Sequence, residues 1–322
     1  MSLISALSGL TAALILYCNT VAAQTLAVPE SWQSSLYKDH ALVGQIWSTR
    51  DERFVTPEEM LEQLSAGSVL MIGEKHDNPD HHQLELQLLQ ALQSLGRLRS
   101  LSLEMLDSSQ TPLLDRLPQQ SGLSLSALET FLQWDSAGWD WEFYGPLLAL
   151  AQATNVKLFA ANISNDEMRQ IYQQESPSEF ASPLDATELQ QLYAEIDASH
   201  CQLLPESQFP AMVRVQQARD ARMAESLRAA MRSGSTPQGG VNVLVAGNFH
   251  TRRDLGVSRY LLAATPAPSE AQISSLALLE VDLAELNPEA YLQQFSSIVP
   301  YDYLWFTPAL TDEDYCASLQ ER

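Results

Sequence analysis

The chain has 322 residues, with 40 Asp and Glu against 18 Lys and Arg, a formal net charge of -22 and a pI near 4.5. Phosphate binding needs a basic face, so nucleic acid and anionic membrane surfaces are excluded as partners. Apolar residues at 45% give enough material for a large core, as one domain or a core with an appendage.

Residues 1–23 stand apart as an expected signal peptide. Leu3 to Leu16 is an apolar run too short to span a bilayer comfortably, and Val21-Ala22-Ala23 offers a small-residue cleavage site. No Lys or Arg precedes Lys38, so the usual positive start is missing. A lipoprotein signal with Cys18 acylated is the second reading, disfavoured by the bulky Tyr17, and a buried N-terminal helix is the third. Removal of the leader leaves Cys201 and Cys316, a pair that an oxidising compartment would allow to bond if the fold brings them together.

Residues 24–65 read as a lead-in, with a short strand at Gln45 to Ser48 and a helix opened by Thr56-Pro57. Val69 to Ile72 is an apolar run suited to a strand buried on both faces. Gly73 ends it, Glu74 and His76 follow, and Asn78-Pro79 cap a helix whose leucines recur at helical spacing through Leu95. Further strands are expected at Arg99 to Leu103, Val156 to Ala161, Val241 to Ala246, Ile273 to Val281 and Tyr301 to Phe306. Trp134 to Tyr144 packs three Trp, one Phe and one Tyr into a loop, either a small core under that loop or the flat wall of an apolar ligand pocket. Residues 164–235 turn polar and helical in period, with helices at Asn165 to Gln174, Ala186 to Ala198 and Gln208 to Arg232. The fold class expected is α/β: a mainly parallel sheet flanked by helices, its halves at 66–163 and 236–322, with a small all-helical subdomain inserted between them.

Four strands end in polar residues: Glu74 with His76, Glu104, Asn162, and His250 backed by Arg252 and Arg253. Ligands of open α/β sheets bind beside the carboxyl ends of the strands. Gly73-x-x-His76 and Gly247-x-x-His250 share a spacing in which the Gly lets the backbone turn before the His. Imidazoles with carboxylates suit Zn, Mn or Fe(II), here with His76, Glu104 and His250 as ligands and Glu74 as general base for hydrolysis. Haem is the other reading, with Tyr or His on the iron, the aromatic loop as wall and Arg252 and Arg253 on the propionates. His81 and His82 are weaker candidates, since a first helical turn is commonly solvated. The chain has no G-x-S-x-G, Walker loop, G-x-G-x-x-G or H-E-x-x-H.

The stretches GEKHDNPDHHQLELQLL (73–89), SLEM (102–105), the W…GW…Y.PLL pattern (134–148), His200-Cys201, QQARDARMAESL (216–227), AGNFHTRRDLGV (246–257) and YDYLWFTP (301–308) together resemble the ChaN-like haem-binding, iron-regulated exported family of the Tiki superfamily. The resemblance implies a parallel α/β core with a helical subdomain and a homodimer holding haem between subunits. It also implies a role in haem or iron uptake, in the periplasm or at the outer membrane, with an uptake receptor as partner. The family's iron is met by a tyrosine with a histidine nearby from the partner chain. Tyr144 is the leading candidate here, ahead of Tyr172 and Tyr193, with His76, His81, His82, His250, Arg252 and Arg253 as further haem contacts. Other members of the superfamily resemble metal-dependent hydrolases that use two GxxH motifs and a glutamate, all retained in this chain.

Overall fold

The computed structural model describes residues 26–65, 68–120, 122–174, 182–233 and 240–317. The expected leader, with Cys18, lies outside them. Strands β1 (Ile46–Ser48) and β2 (Arg53–Val55) open the chain, and helix α1 (Pro57–Gln63) follows, started by a capping box between Thr56 and Glu59. Strand β3 (Val69–Glu74) is buried throughout. It leads into α2 (Pro79–Ser94), where Asn78 Oδ1 accepts from the Asp80 and His81 amides and Pro79 occupies the first turn. Strand β4 (Leu98–Asp107), α3 (Thr111–Arg116), α4 (Leu125–Leu132), α5 (Trp141–Thr154) and β5 (Lys157–Asn162) complete the first half. Helices α6 (Asn165–Gln173), α7 (Ala186–Ser199) and α8 (Phe209–Arg232) come next. The chain then runs through β6 (Val241–Gly247), α9 (Asn248–Thr251), α10 (Val257–Ala263), β7 (Ile273–Glu280) and β8 (Tyr303–Thr307).

The eight strands among the described residues form one sheet in the order β2-β1-β8-β7-β3-β6-β4-β5. From β8 to β5 every pairing is parallel, while β1 runs antiparallel to both β8 and β2. The sheet is therefore mixed, mostly parallel and flanked by helices. Alternation along the strands sorts the core into two layers. Leu70, Ile72, Leu101, Leu103, Val243 and Val245 pack with α2, α4 and α5, whereas Val69, Met71, Leu244 and Ala246 pack with α8 and α10. Leu84, Leu88, Leu89 and Leu92 of α2 are completely buried, and each such leucine contributes about 1.5–3 kcal/mol.

Helix α8 departs from the expected subdomain. Its 24 residues span about 36 Å. Val213, Val215 and Ala218 near its start pack on α6 and α7, but Met223, Ala224 and Leu227 further along pack on the sheet. Only α6 and α7 stand clear as an appendage over the strand ends. A disulfide joins Cys201, just after α7, to Cys316, tying the C-terminal tail beside them.

Candidate functional site

Register brings the two GxxH motifs together. Strands β3 and β6 are parallel neighbours with Gly73 opposite Ala246 and Glu74 opposite Gly247, and β4 lies on the far side of β6 with Leu103 opposite Val245. The motif glycines serve close approach rather than the expected turn. A Cβ on Gly73 would collide with Thr251 Oγ1 and lie 2.5 Å from Asn248 Oδ1 and 3.0 Å from Asn248 Cα. One on Gly247 would lie 2.9 Å from His76 Nε2.

The carboxylates do not converge on one side, because strand alternation sends them to opposite faces. Glu74 follows Leu70 and Ile72 toward α2 and α5. Its Oε1 accepts from the Tyr144 hydroxyl at 2.8 Å and from His76 Nδ1 at 2.9 Å, while Oε2 lies 3.2 Å from His82 Nδ1. His82 Nδ1 is also 3.2 Å from Glu85 Oε2, and His82 Nε2 donates to the His76 carbonyl at 3.1 Å. Phe143 stacks on the His82 ring at 4.3 Å. Burial and the neighbouring Glu85 push the Glu74 carboxyl up against the pull of His76, and burial raises Glu85 to about 8.

Glu104 faces α8 instead. Its Oε2 accepts from the Gly247 amide at 2.8 Å, and its Oε1 lies 3.4 Å from His250 Nε2. His250 Nδ1 donates to Asp220 Oδ1 at 2.6 Å. Burial opposes charge on His250, but the two carboxylates outweigh it and raise the imidazole to about 10. Burial likewise opposes charge on Glu104, and His250 more than offsets it, holding that carboxyl well below its usual range. The unit is an imidazolium clamped between two carboxylates.

At the same end of the sheet lies a cavity of about 860 Å3. Glu74, His76, Glu104 and His250 form its floor. Met168 and Tyr172 of α6, Ile196 and His200 at the end of α7, Met212, Val215 and Arg219 of α8, and Phe249 form its walls. His200 Nδ1 donates to the Ile196 carbonyl at 2.7 Å, which leaves Nε2 as the acceptor nitrogen. Arg219 Nε has no hydrogen-bond partner.

Several expected site residues sit elsewhere. Tyr144 is 1% exposed and spends its hydroxyl on Glu74, so it does not line the cavity. The aromatic loop does not line it either. Trp134 packs edge-on against Trp141 at 5.1 Å, Trp139 meets His76 at 5.0 Å, and Phe143 covers His82, so the loop is a small core over the Glu74 face. Arg252 is buried in a two-point pair with Asp254, and Arg253 pairs with Asp302. Both arginines are thus committed away from the cavity, where Arg219 stands instead. His81 does line the cavity but is buried and neutral with both ring nitrogens committed, Nδ1 accepting from the Lys75 amide and Nε2 donating to Thr307 Oγ1. Tyr193 packs on Phe209 outside the cavity. His76, Glu104 and His250 do not bring their ligand atoms within 4.8 Å of one another, whereas Glu74, His82 and Glu85 do. Glu85 was not foreseen, although the i, i+3 spacing from His82 was its available signal.

Residues 60–261 match the profile of the family described as haem-binding uptake, Tiki superfamily, ChaN, and the chain belongs to that family. Among solved structures it is similar to one titled "Cofacial heme binding to ChaN of Campylobacter jejuni". The identity is 25% and the TM-score 0.63, over 81% of this chain and 95% of that one. An erythromycin esterase, EreC, in its open conformation is 14% identical with a TM-score of 0.42, over 72% of this chain and 76% of that one. A bacterial type III effector is 12% identical with a TM-score of 0.34, over 75% and 88%. These last two likenesses are too distant to inform function. No curated protein is a significant sequence match.

Proposed function

We propose that the chain binds haem in the cavity at the carboxyl end of the sheet and serves haem or iron uptake as an exported homodimer. The observation that carries the reading is the lining of that cavity. Apolar Met168, Met212, Val215 and Phe249 surround a phenol, Tyr172, an imidazole whose Nε2 is the acceptor nitrogen, His200, and a guanidinium, Arg219, while Lys75, His76, His81 and His250 line the same cavity. About 860 Å3 lies within the range of cofactor pockets. Phenolate and imidazole are both haem-iron ligands, and a guanidinium matches a propionate. The residues present therefore fit the group. Tyr172 replaces Tyr144 as the iron ligand, His200 takes the place of the second-chain histidine, and Arg219 that of Arg252 and Arg253.

The dimer rests on two further supports. The Campylobacter protein binds haem cofacially. Tyr193 and Leu203, on and just beyond the helix that supplies Ile196 and His200, are exposed apolar surface for a second copy. Export to the periplasm or outer membrane, beside an uptake receptor, rests on the leader pattern of residues 1–23 and on the Cys201–Cys316 disulfide, a bond of oxidising compartments.

The test is a haem titration of the purified chain followed by Soret absorbance and by mass in solution. Saturable binding with a shift to dimer is expected, and Tyr172→Phe should alter the Soret band and weaken binding at least about tenfold, while Tyr144→Phe leaves the band unchanged. An unaltered spectrum in Tyr172→Phe would move the ligand elsewhere. Absence of saturable binding in the wild type would end the reading.

A further inference from the structure

On the α2 face of the sheet, behind the cavity floor, two carboxyls and an imidazole are pressed together. Glu74, His82 and Glu85 are 2%, 5% and 0% exposed, and one ligand-type atom of each lies within 4.8 Å of the others. The His82 tautomer follows from its surroundings: Nε2 carries the proton it donates to the His76 carbonyl, so neutral His82 presents a lone pair at Nδ1. That lone pair faces Glu74 Oε2 and Glu85 Oε2, each 3.2 Å away. Glu74 Oε2 and Glu85 Oε1 are buried without a hydrogen-bond partner. Lone pairs meeting lone pairs in a dry site are strongly unfavourable unless something positive sits among them.

The surroundings resemble the outer sphere of a metal site. Glu74 Oε1 is fixed by the Tyr144 hydroxyl and by His76 Nδ1, which leaves Oε2 free. The His82 ring is oriented by a backbone carbonyl on its far nitrogen and by Phe143 stacked on its face. His82 and Glu85 stand three apart on α2, so one helix face presents both, and the end of β3 presents Glu74.

We propose that Glu74, His82 and Glu85 form a binding site for a divalent transition-metal ion, behind the cavity floor that Glu74 helps to form and on the opposite face of the sheet from His250. One imidazole with two carboxylates suits Zn2+, Mn2+ or Fe2+. The second oxygen of a carboxylate, or a water, fills the remaining position. The alternative occupant is a proton shared between the two carboxyls. The proposal does not depend on haem binding.

The experiment is elemental analysis and titration calorimetry with Zn2+ and Mn2+ on the folded, haem-free, chelator-treated chain. Circular dichroism and thermal melting are followed alongside. Glu85→Gln is the decisive variant, because it keeps the volume and a hydrogen bond to His82 but removes a charged ligand. Wild type should take up one ion per chain and melt at higher temperature with it. Glu85→Gln should bind at least ~100-fold more weakly, with an unchanged circular dichroism spectrum and no metal-dependent rise in melting temperature. Glu104→Gln, on the other face, should bind as wild type does. The proposal is overturned if folded wild type takes up neither ion, which leaves the shared proton. Retention of the ion in Glu85→Gln with loss in Glu104→Gln would overturn it equally, since the ion would then belong to the His250 face.

Discussion

His250 shows how a side chain's partners set its chemistry. Its spacing from Gly247 reads equally well as a metal ligand, but in the fold each ring nitrogen meets a carboxylate, Glu104 on one side and Asp220 on the other. The imidazole is thereby raised to about 10, so the folded state holds a proton that the unfolded chain gives up near pH 6.5. The unfolded state binds fewer protons between those values, so this unit's contribution is complete below about pH 6.5 and is lost as pH rises toward 10, by at most about 1.4 kcal/mol per pH unit. Urea denaturation from pH 6.5 to 9.5 should show that loss. Asp220→Asn should shift it to lower pH and cost on the order of 3–5 kcal/mol at neutrality. A stability flat across that range in both proteins would contradict the clamp. Asp220 and Arg219 lie in a stretch that carries the family resemblance (216–227), but their pairing with the strand ends is tertiary, so spacing along the chain did not single them out. Tyr172 ranked behind Tyr144 on the same ground. Tyr144 was favoured because aromatic density attracts notice, whereas its hydroxyl is absorbed by Glu74.

At the level of elements, the parallel strands were readable because burial on both faces demands unbroken apolar runs, and β3 and β6 are buried at every position. Strand β2 escaped notice because it is an edge of three residues with Phe54 41% exposed, held by antiparallel pairing to β1. Strand parity was the harder inference. Glu74 and Glu104 both stand at strand ends, yet they lie on opposite faces, because Leu103 and Ile72 share a layer and Glu104 is one residue further while Glu74 is two. The two motif glycines should therefore differ in tolerance. Gly73→Ala puts a methyl against Thr251 and the Asn248 backbone, which are held in the fold, and should cost about 1–3 kcal/mol by chemical denaturation. Gly247→Ala meets the end of a half-exposed His76 side chain that can swing aside, so its cost should be under about 1 kcal/mol. Equal costs would mean that both glycines answer to one constraint, such as backbone conformation.

Across the whole molecule, one covalent link connects the tail to the cavity. Cys201 and Cys316 are 115 residues apart in sequence, a separation from which proximity is illegible. The chain between them contains α8, β6, β7 and β8, so closing it depends on the sheet being complete. Cys201 and Gln202 both adopt left-handed backbone, with φ of 59° and 58°, which costs roughly 1–2 kcal/mol per residue. His200, which lines the cavity, directly precedes them. The tail on the other side of the bond is held further by Tyr315, whose hydroxyl donates to Asp77 Oδ2 at 2.9 Å, and by Asn78 Nδ2, which donates to the Pro308 carbonyl at 3.3 Å. Cutting the bond frees the strained turn to relax and releases the loop closure it enforces on the unfolded chain. A loop of this length corresponds to a loss of about 4 kcal/mol or somewhat more in the chain-entropy view. Reductant should therefore lower the denaturation midpoint of the wild type, and Cys316→Ser should reproduce the reduced protein and be indifferent to reductant. Because the turn that relaxes carries His200, haem affinity should fall in both cases by a few-fold, read in the same Soret titration. Should reduction lower stability and leave haem affinity untouched, the bond serves the fold alone and His200 keeps its place without it. Should neither change, the tail is held by its hydrogen bonds, and the covalent link adds nothing to them.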